Sequence, residues 1–237
     1  MWRKKTSLKE LLPPPIRASH SEYSMILSMH DESAKPSPTL IDLSLEVIAK
    51  AHATDLSSLS KRLPHAPYFP DIWPGEHYKL LAAFMQALQP KLGVEIGTAT
   101  GLSALAMIPF LPERGRLITY DIKQWNEYPN TVLKKEDFEE GILTQKVGDL
   151  TDPRFFEKEK EILRQAEWIF IDATHDGVLE KKLLDLLSSL SFERAPFLLL
   201  DDIRVWSMLK MWREIPYPKL DLTSFGHWSG TGLVHLL

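Results

Sequence analysis

An α/β fold built on a doubly wound, mostly parallel sheet of the Rossmann-like kind is predicted by three features of the sequence. Short apolar runs at Leu92–Ile96, Leu117–Tyr120, Thr144–Val147, Trp168–Ile171 and Phe197–Leu200 alternate with helical patterns at about 101–110, 131–140, 153–166 and 177–190. Runs buried on both faces and joined by helices indicate a parallel sheet. The first run ends in a glycine turn that opens a helix. The tail differs: residues 219–225 and 231–237 flank the turn-rich Gly226-His-Trp-Ser-Gly230, which predicts a closing antiparallel hairpin.

The elements follow in order. Nine of the 17 prolines fall within the first 74 residues. Between them, residues 39–52 place Leu40, Leu43, Val47 and Ala51 on one helical face, with Ile41 and Ile48 beside it; residues 20–30 are less decided. Pro64, Pro67 and Pro70 repeat every third residue, which favours polyproline II as a stiff connection, or as a ligand for a proline-reading module. Residues 1–74 therefore read as an N-terminal helical extension with a Pro-rich linker, and residues 75–237 as the main domain. That domain begins with an amphipathic helix at 76–89 carrying Leu80, Leu81, Phe84, Met85 and Leu88, closed by Pro90. Asn130 or Thr131 suits the start of the helix expected at 131–140, and Gly141 its exit.

Composition bounds the chemistry. The chain has 237 residues, 44% apolar and 25% charged, an ordinary globular balance. With no cysteine, disulfides, thiolate metal sites and cysteine nucleophiles are excluded. The net charge is −4 and the 28 basic residues are spread, so no nucleic-acid footprint is visible. The opening MWRKKTSLKELLPPP lacks the apolar core of a signal peptide, and no run approaches the roughly 18 apolar residues that span a bilayer. A soluble, cytoplasmic protein acting on a small molecule, without nucleic acid or membrane as partner, is the expectation.

The glycine turn narrows the ligand. Glu95-Ile-Gly97-Thr98-Ala-Thr-Gly101-Leu-Ser103 follows the first strand, where ligands of such folds bind. Gly97 and Gly101 clear side chains at the turn, and the next helix presents free N–H groups. Asp121, at the end of the second strand, can accept both hydroxyls of a ribose. A dinucleotide fingerprint wants a second glycine two residues after the first, and here Ala99 stands there, which weakens a pyrophosphate reading. The remaining alternative is a turn needed only for packing.

On these residues the chain resembles the class I S-adenosylmethionine-dependent methyltransferases, from about Trp73 to the end. Glu95–Ser103 is similar to their motif I. The resemblance implies that Glu76 and His77 lie beside the methionine moiety, that Asp121 binds the ribose, and that Gly148 and Asp149 sit beside the adenine. Glu95, Gly97, Thr98, Gly101 and Ser103 complete the implied cofactor set. Gly230-Thr-Gly232-Leu-Val is similar to the family's last strands.

The acids at the next two strand ends suggest a metal. Asp172 ends the fourth strand and Asp201-Asp202 the fifth, and neighbouring strands lie about 4.8 Å apart. Carboxylates so close repel unless a cation joins them, and hard oxygen ligands suit Mg²⁺, with Mn²⁺ or Ca²⁺ as substitutes. His175 follows Asp172 by three residues and can serve as a base beside the metal. The arrangement resembles divalent-cation-dependent O-methyltransferases, and most of all the branch acting on sugars and antibiotic-type natural products; catechol-directed relatives carry Asn where Asp202 stands. The alternatives are helix caps at Asp172 and His175. The expected function is methylation of a hydroxyl on a small-molecule acceptor, with S-adenosylmethionine, a divalent cation, and Asp172 and His175 as the catalytic pair. A metal-independent methyltransferase, or a scaffold without turnover, remains open.

Other residues are weaker candidates. Trp125 and Tyr128 can cover the adenine or simply pack, and Arg204 and Trp206 can line the acceptor pocket. His227 and Trp228, in the hairpin turn, are expected to lie outside the catalytic set. Lys158–Glu161 reads as a solvated helix face. The N-terminal extension can pack on a second copy to form a homo-oligomer.

Overall fold

The computed structural model describes residues 34–65, 70 and 77–237. Among them are seven helices and one seven-stranded sheet. The helices are α1 (Pro38–Ala53), α2 (Ser57–Ser60), α3 (His77–Leu88), α4 (Leu102–Met107), α5 (Pro153–Leu163), α6 (Leu179–Ser188) and α7 (Trp206–Glu214). The strands are β1 (Leu92–Ile96), β2 (Arg116–Asp121), β3 (Leu143–Val147), β4 (Trp168–Ile171), β5 (Phe197–Asp201), β6 (Lys219–Asp221) and β7 (Thr231–His235). The sheet order is β3-β2-β1-β4-β5-β7-β6. Strands β1 to β5 pair in parallel, and β7 runs antiparallel between β5 and β6. The predicted fold class is borne out. Residues 66–69 of the polyproline run, residues 20–30 and Glu76 lie outside the described residues.

Alternation along each strand divides the core between the two sheet faces. Trp168, Phe170 and Leu199 pack with α1, α3 and α4 on one face. Val94, Ile96, Ile169, Ile171, Leu198 and Leu200 pack with α5, α6 and α7 on the other. Helix α1 is capped by Ser37, whose hydroxyl accepts the Leu40 N–H at 3.3 Å, and it opens on Pro38. Its Leu40, Val47 and Ala51 are buried in the same core as Leu80, Leu81 and Phe84 of α3. At about 25 cal/mol per Å² of apolar area removed from water, that contact ties the helix firmly to the sheet domain.

Three expectations need correction. No α-helix forms over 131–140; a single 3₁₀ turn, Lys135–Phe138, stands there. The segment is pulled across the glycine turn, where Val132 N–H donates to the Thr100 carbonyl at 2.9 Å. Arg62 holds it from the other side, with both terminal nitrogens 2.8 Å from the Asp137 carboxylate. These tertiary bonds outweigh a helical propensity worth tenths of a kcal/mol per residue. Second, β6 ends at Asp221, so residues 222–230 form a loop that folds back over the end of β5. Third, helix α7 was not expected, although Met208, Met211 and Trp212 recur at helical spacing and are buried. Within Lys158–Glu161, Glu159 turns inward, buried and bonded to Tyr120 Oη at 3.0 Å and Lys146 Nζ at 2.5 Å.

Candidate active site

Strand register lines up the chemistry. Tyr120, Ile96, Ile171 and Leu200 form one row across β2, β1, β4 and β5. One residue further along, the next row is Asp121, Gly97, Asp172 and Asp201, at the carboxyl edge of the sheet. The order of strands reverses between β1 and β4, which is where ligands bind in such sheets. Two half-sites meet along this row.

The first half-site is a cleft lined by Gly97, Ala99, Asp121, Gly148, Asp149 and Asp172, among apolar neighbours such as Ile122 and Leu150. Gly97 has φ 110°, and a Cβ there would lie 1.8 Å from the Asp172 carbonyl oxygen. Only glycine lets β1 turn against the end of β4. Gly101, φ 80°, sits under the Leu133 side chain at the start of α4. Asp121 is saturated. Its Oδ2 accepts the Thr98 and Ala99 N–H groups, each at 3.0 Å. Its Oδ1 accepts Lys123 N–H at 3.0 Å and the Tyr128 hydroxyl at 2.8 Å. Thr98 Oγ1 is 2.7 Å from Thr119 Oγ1 and accepts from Gln145 at 3.1 Å, so the turn is braced from below.

Glu95 and Ser103 lie beneath this cleft. Both are buried, and the Ser103 hydroxyl donates to Glu95 Oε1 at 2.5 Å. Burial pushes the Glu95 carboxyl up to about 7, against the lowering effect of its hydrogen bonds. Trp125 stacks on Phe138 at 5.4 Å between ring centroids, and Arg204 Nη2 bonds Asp221 Oδ2 at 2.7 Å. Both therefore make packing or tethering contacts.

The second half-site gathers three carboxylates and three imidazoles at the ends of β4 and β5. His175 lies between two acids, with Nε2 2.8 Å from Asp172 Oδ1 and Nδ1 3.0 Å from Asp202 Oδ2. The Asp172 hydrogen bond, and the charges of Asp172, Asp202 and Asp201, push the imidazole up to about 9 despite its burial. Asp202 also meets His227 Nδ1 at 3.2 Å and accepts from Ser229 Oγ. Burial works to raise Asp202, yet these bonds and the flanking histidines hold it below the usual carboxylate range. The Asp202 hydrogen bond in turn raises His227 above its ordinary value. Asp201 is buried beside His77 and His227. Single ligand atoms of Asp172, His175 and Asp201 fall within 4.8 Å of one another, a spacing that can hold one ion.

Local structure fixes these groups under strain. His175 and Asp202 adopt φ 56° and 59°, and Ala99 φ 40°, a region that side-chain-bearing residues avoid. Glu180 restrains the turn after β4: its carboxylate accepts His175 N–H at 2.7 Å and Gly177 N–H at 2.9 Å. Asp176 caps α6 through Val178 and Leu179 N–H.

Of the sequence-derived candidates, Gly97, Asp121, Gly148, Asp149 and Asp172 share the cleft, while Thr98 and Gly101 shape its turn. His77 lies beside Asp201, in the second half-site. His227, expected outside the site, sits against Asp201 and Asp202. Glu180 was not anticipated; an acid early in the helix that follows a strand-end turn is the signal that could have found it.

The model of the O-methyltransferase family matches residues 49–190, more than half of the chain. This chain belongs to the O-methyltransferase family. The match begins inside α1, so family likeness reaches back into the N-terminal extension. Caffeoyl-CoA O-methyltransferase of Medicago sativa is 30% identical over 118 residues, which span 46% of this chain and 45% of that enzyme. The O-methyltransferase TomG of Streptomyces achromogenes, involved in tomaymycin synthesis and solved with S-adenosylmethionine, superposes with a TM-score of 0.53 at 17% identity, covering 81% of this chain and 95% of TomG. An O-methyltransferase of Bacillus cereus in complex with S-adenosylhomocysteine gives 0.51 at 14% identity, covering 81% and 99%. At such identity these two show a shared fold. Among the described residues, no helix is long and apolar enough to cross a membrane.

Proposed function

We propose that this chain transfers a methyl group from S-adenosylmethionine to a hydroxyl of a small-molecule acceptor, with a divalent cation, Mg²⁺ by ligand type, at the carboxylate cluster. The observation that carries the reading is the strand-end row, which sets the Asp121–Gly97 cleft directly beside Asp172 and Asp201. The cleft fits a nucleoside. It pairs an acid at the end of β2 with apolar walls, and the glycine turn removes the side chain where a ligand meets the backbone. In this reading Asp121 takes the ribose hydroxyls, with the Tyr128 hydroxyl giving way, and Gly148 and Asp149 face the base. Bound there, S-adenosylmethionine supplies a sulfonium-activated methyl group.

Asp172 and Asp201 present hard oxygen donors within reach of one ion, and in this reading Asp202, which lies outside that group against His175 and His227, turns in as a third. A cation held among them supplies Lewis acidity that lowers the pKa of an acceptor hydroxyl. His175 and Asp172 form the pair that receives the acceptor proton. Raised to about 9 and set between two carboxylates, His175 holds its proton, so it must give up that proton and one of the two contacts before it can serve as base. Positioning the acceptor oxygen in line with the methyl group can lower the barrier by up to about 7–11 kcal/mol.

The test is methyl transfer to a panel of vicinal diols and catechols, with Mg²⁺ or with chelator. Turnover that requires Mg²⁺ supports the reading; no methylation of any hydroxyl acceptor by folded protein that binds the cofactor sinks it. A second reading has a specific basis: His175 bridges Asp172 and Asp202 and already offsets part of their charge. Methyl transfer indifferent to chelator would favour that metal-independent form.

A further inference from the structure

Asp201 has a second set of neighbours apart from the carboxylate cluster. Its side chain is buried, and Oδ1 has no hydrogen-bond partner among the described residues. His77 Nδ1 stands 3.7 Å from that oxygen and His227 Nδ1 3.6 Å. The two imidazole rings lie 5.1 Å apart, edge to face. One ligand atom from each of His77, Asp201 and His227 falls within 4.8 Å of the others. Separations of 3.6–3.7 Å are too long for hydrogen bonds, which end near about 3.2 Å. They come close to the edge of a coordination tetrahedron, since bonds of about 2.0–2.1 Å to one ion place ligand atoms roughly 3.4 Å apart. His227 Nδ1 also lies 2.5 Å from Ser229 Oγ and 3.2 Å from Asp202 Oδ1, so an ion here competes with those two contacts.

We propose that His77, Asp201 and His227 form a second cation site, which takes a borderline transition-metal ion, Zn²⁺ above all, in preference to Mg²⁺. Imidazole nitrogen is a softer donor than carboxylate oxygen and suits zinc, whereas Mg²⁺ prefers an all-oxygen shell. Three protein ligands leave the fourth tetrahedral position open. The segments are distant in sequence: His77 begins α3, Asp201 ends β5, and His227 is carried by the loop between β6 and β7. The site shares only Asp201 with the Asp172–His175–Asp201 group, and it stands whether or not the chain transfers a methyl group.

The experiment is equilibrium dialysis of untagged, chelator-stripped full-length protein against Zn²⁺ in excess Mg²⁺, with Co²⁺ as a visible-absorbing probe of ligand geometry. The wild type is expected to bind one equivalent of Zn²⁺ under these conditions. His227→Ala is expected to weaken Zn²⁺ binding by about 100-fold, and Asp172→Asn by less than about threefold. His77 is buried, so the half-buried His227 is the residue to replace, with His227→Gln as a second variant and circular dichroism to confirm folding. Equal Zn²⁺ affinity in wild type and His227→Ala overturns the site. Binding lost in Asp172→Asn but kept in His227→Ala also overturns it, while leaving the methyl-transfer reading intact. A folded wild type that takes up no Zn²⁺ overturns it whatever its methyltransferase activity.

Discussion

The two halves of the strand-end row are built in opposite ways. In the cleft half, backbone amides do most of the holding: Asp121 receives three N–H groups and one hydroxyl, and every contact is local to β1, β2 and the loop that follows β2. In the cluster half, side chains from α3, the β4 and β5 ends, and the β6–β7 loop converge, two of them on strained backbone. A backbone cradle is complete before any ligand arrives. A cluster of acids and imidazoles with a buried carboxylate oxygen left over is poised for something positive. If the proposed roles hold, cofactor binding and methyl transfer are separable by mutation.

The largest effect is expected in the cluster. Asp172→Asn should lower methyl transfer by about a thousandfold, the scale of several kcal/mol of lost cation-assisted stabilisation, and leave cofactor affinity nearly unchanged. Steady-state rates and cofactor titration on the same sample check it; parallel loss of both would erase the contrast between halves. Gly97 joins the halves, and Gly97→Ala forces a Cβ against the Asp172 backbone. A destabilisation of about 3 kcal/mol or more is expected, a drop in melting temperature of roughly 6–12 °C, read by calorimetry.

Beneath the cleft, Glu95 gives a pH signature. Burial raises its pKa from an ordinary 4.5 to about 7, so the folded state holds the proton more tightly than the unfolded one. The stability from this group is present in full below about 4.5 and is lost as pH rises to about 7, a difference of about 3 kcal/mol at most. Denaturant midpoints across that window should flatten in Glu95→Gln, and an unchanged slope would remove Glu95 as their source.

The smallest effect sharpens the cleft. Tyr128 donates to Asp121 Oδ1, the oxygen that the proposed ribose contact uses. Tyr128→Phe is therefore expected to tighten S-adenosylhomocysteine binding by about two- to tenfold, the scale of one net hydrogen bond. Weaker binding in that variant would make Tyr128 a cofactor contact instead of a competitor.

The same contrast explains what was legible in the sequence. Strands β1, β2, β4 and β5 and the glycine turn are local signals: mostly apolar runs, two glycines at fixed spacing, and an acid at the ends of β2, β4 and β5. Asp172, Asp201 and His175 were legible because the parallel topology itself brings those ends together. Helix α7 carries a readable face in Met208, Met211 and Trp212, but Arg204 and Trp206 drew attention to a pocket instead. The absent helix at 131–140 was not legible, because Arg62 and Thr100, which hold that segment, come from elsewhere in the chain. His227 was missed for the same reason. Nothing near it in sequence indicates that the loop after β6 folds back onto β5.

The most direct test of the account is calorimetric titration of S-adenosylhomocysteine into wild type, Asp121→Ala and Asp172→Asn, each with and without Mg²⁺. Binding to the wild type is expected, with weakening of at least about tenfold in Asp121→Ala and little change in Asp172→Asn. Equal affinity in wild type and Asp121→Ala, or no binding to a folded wild type, would contradict it.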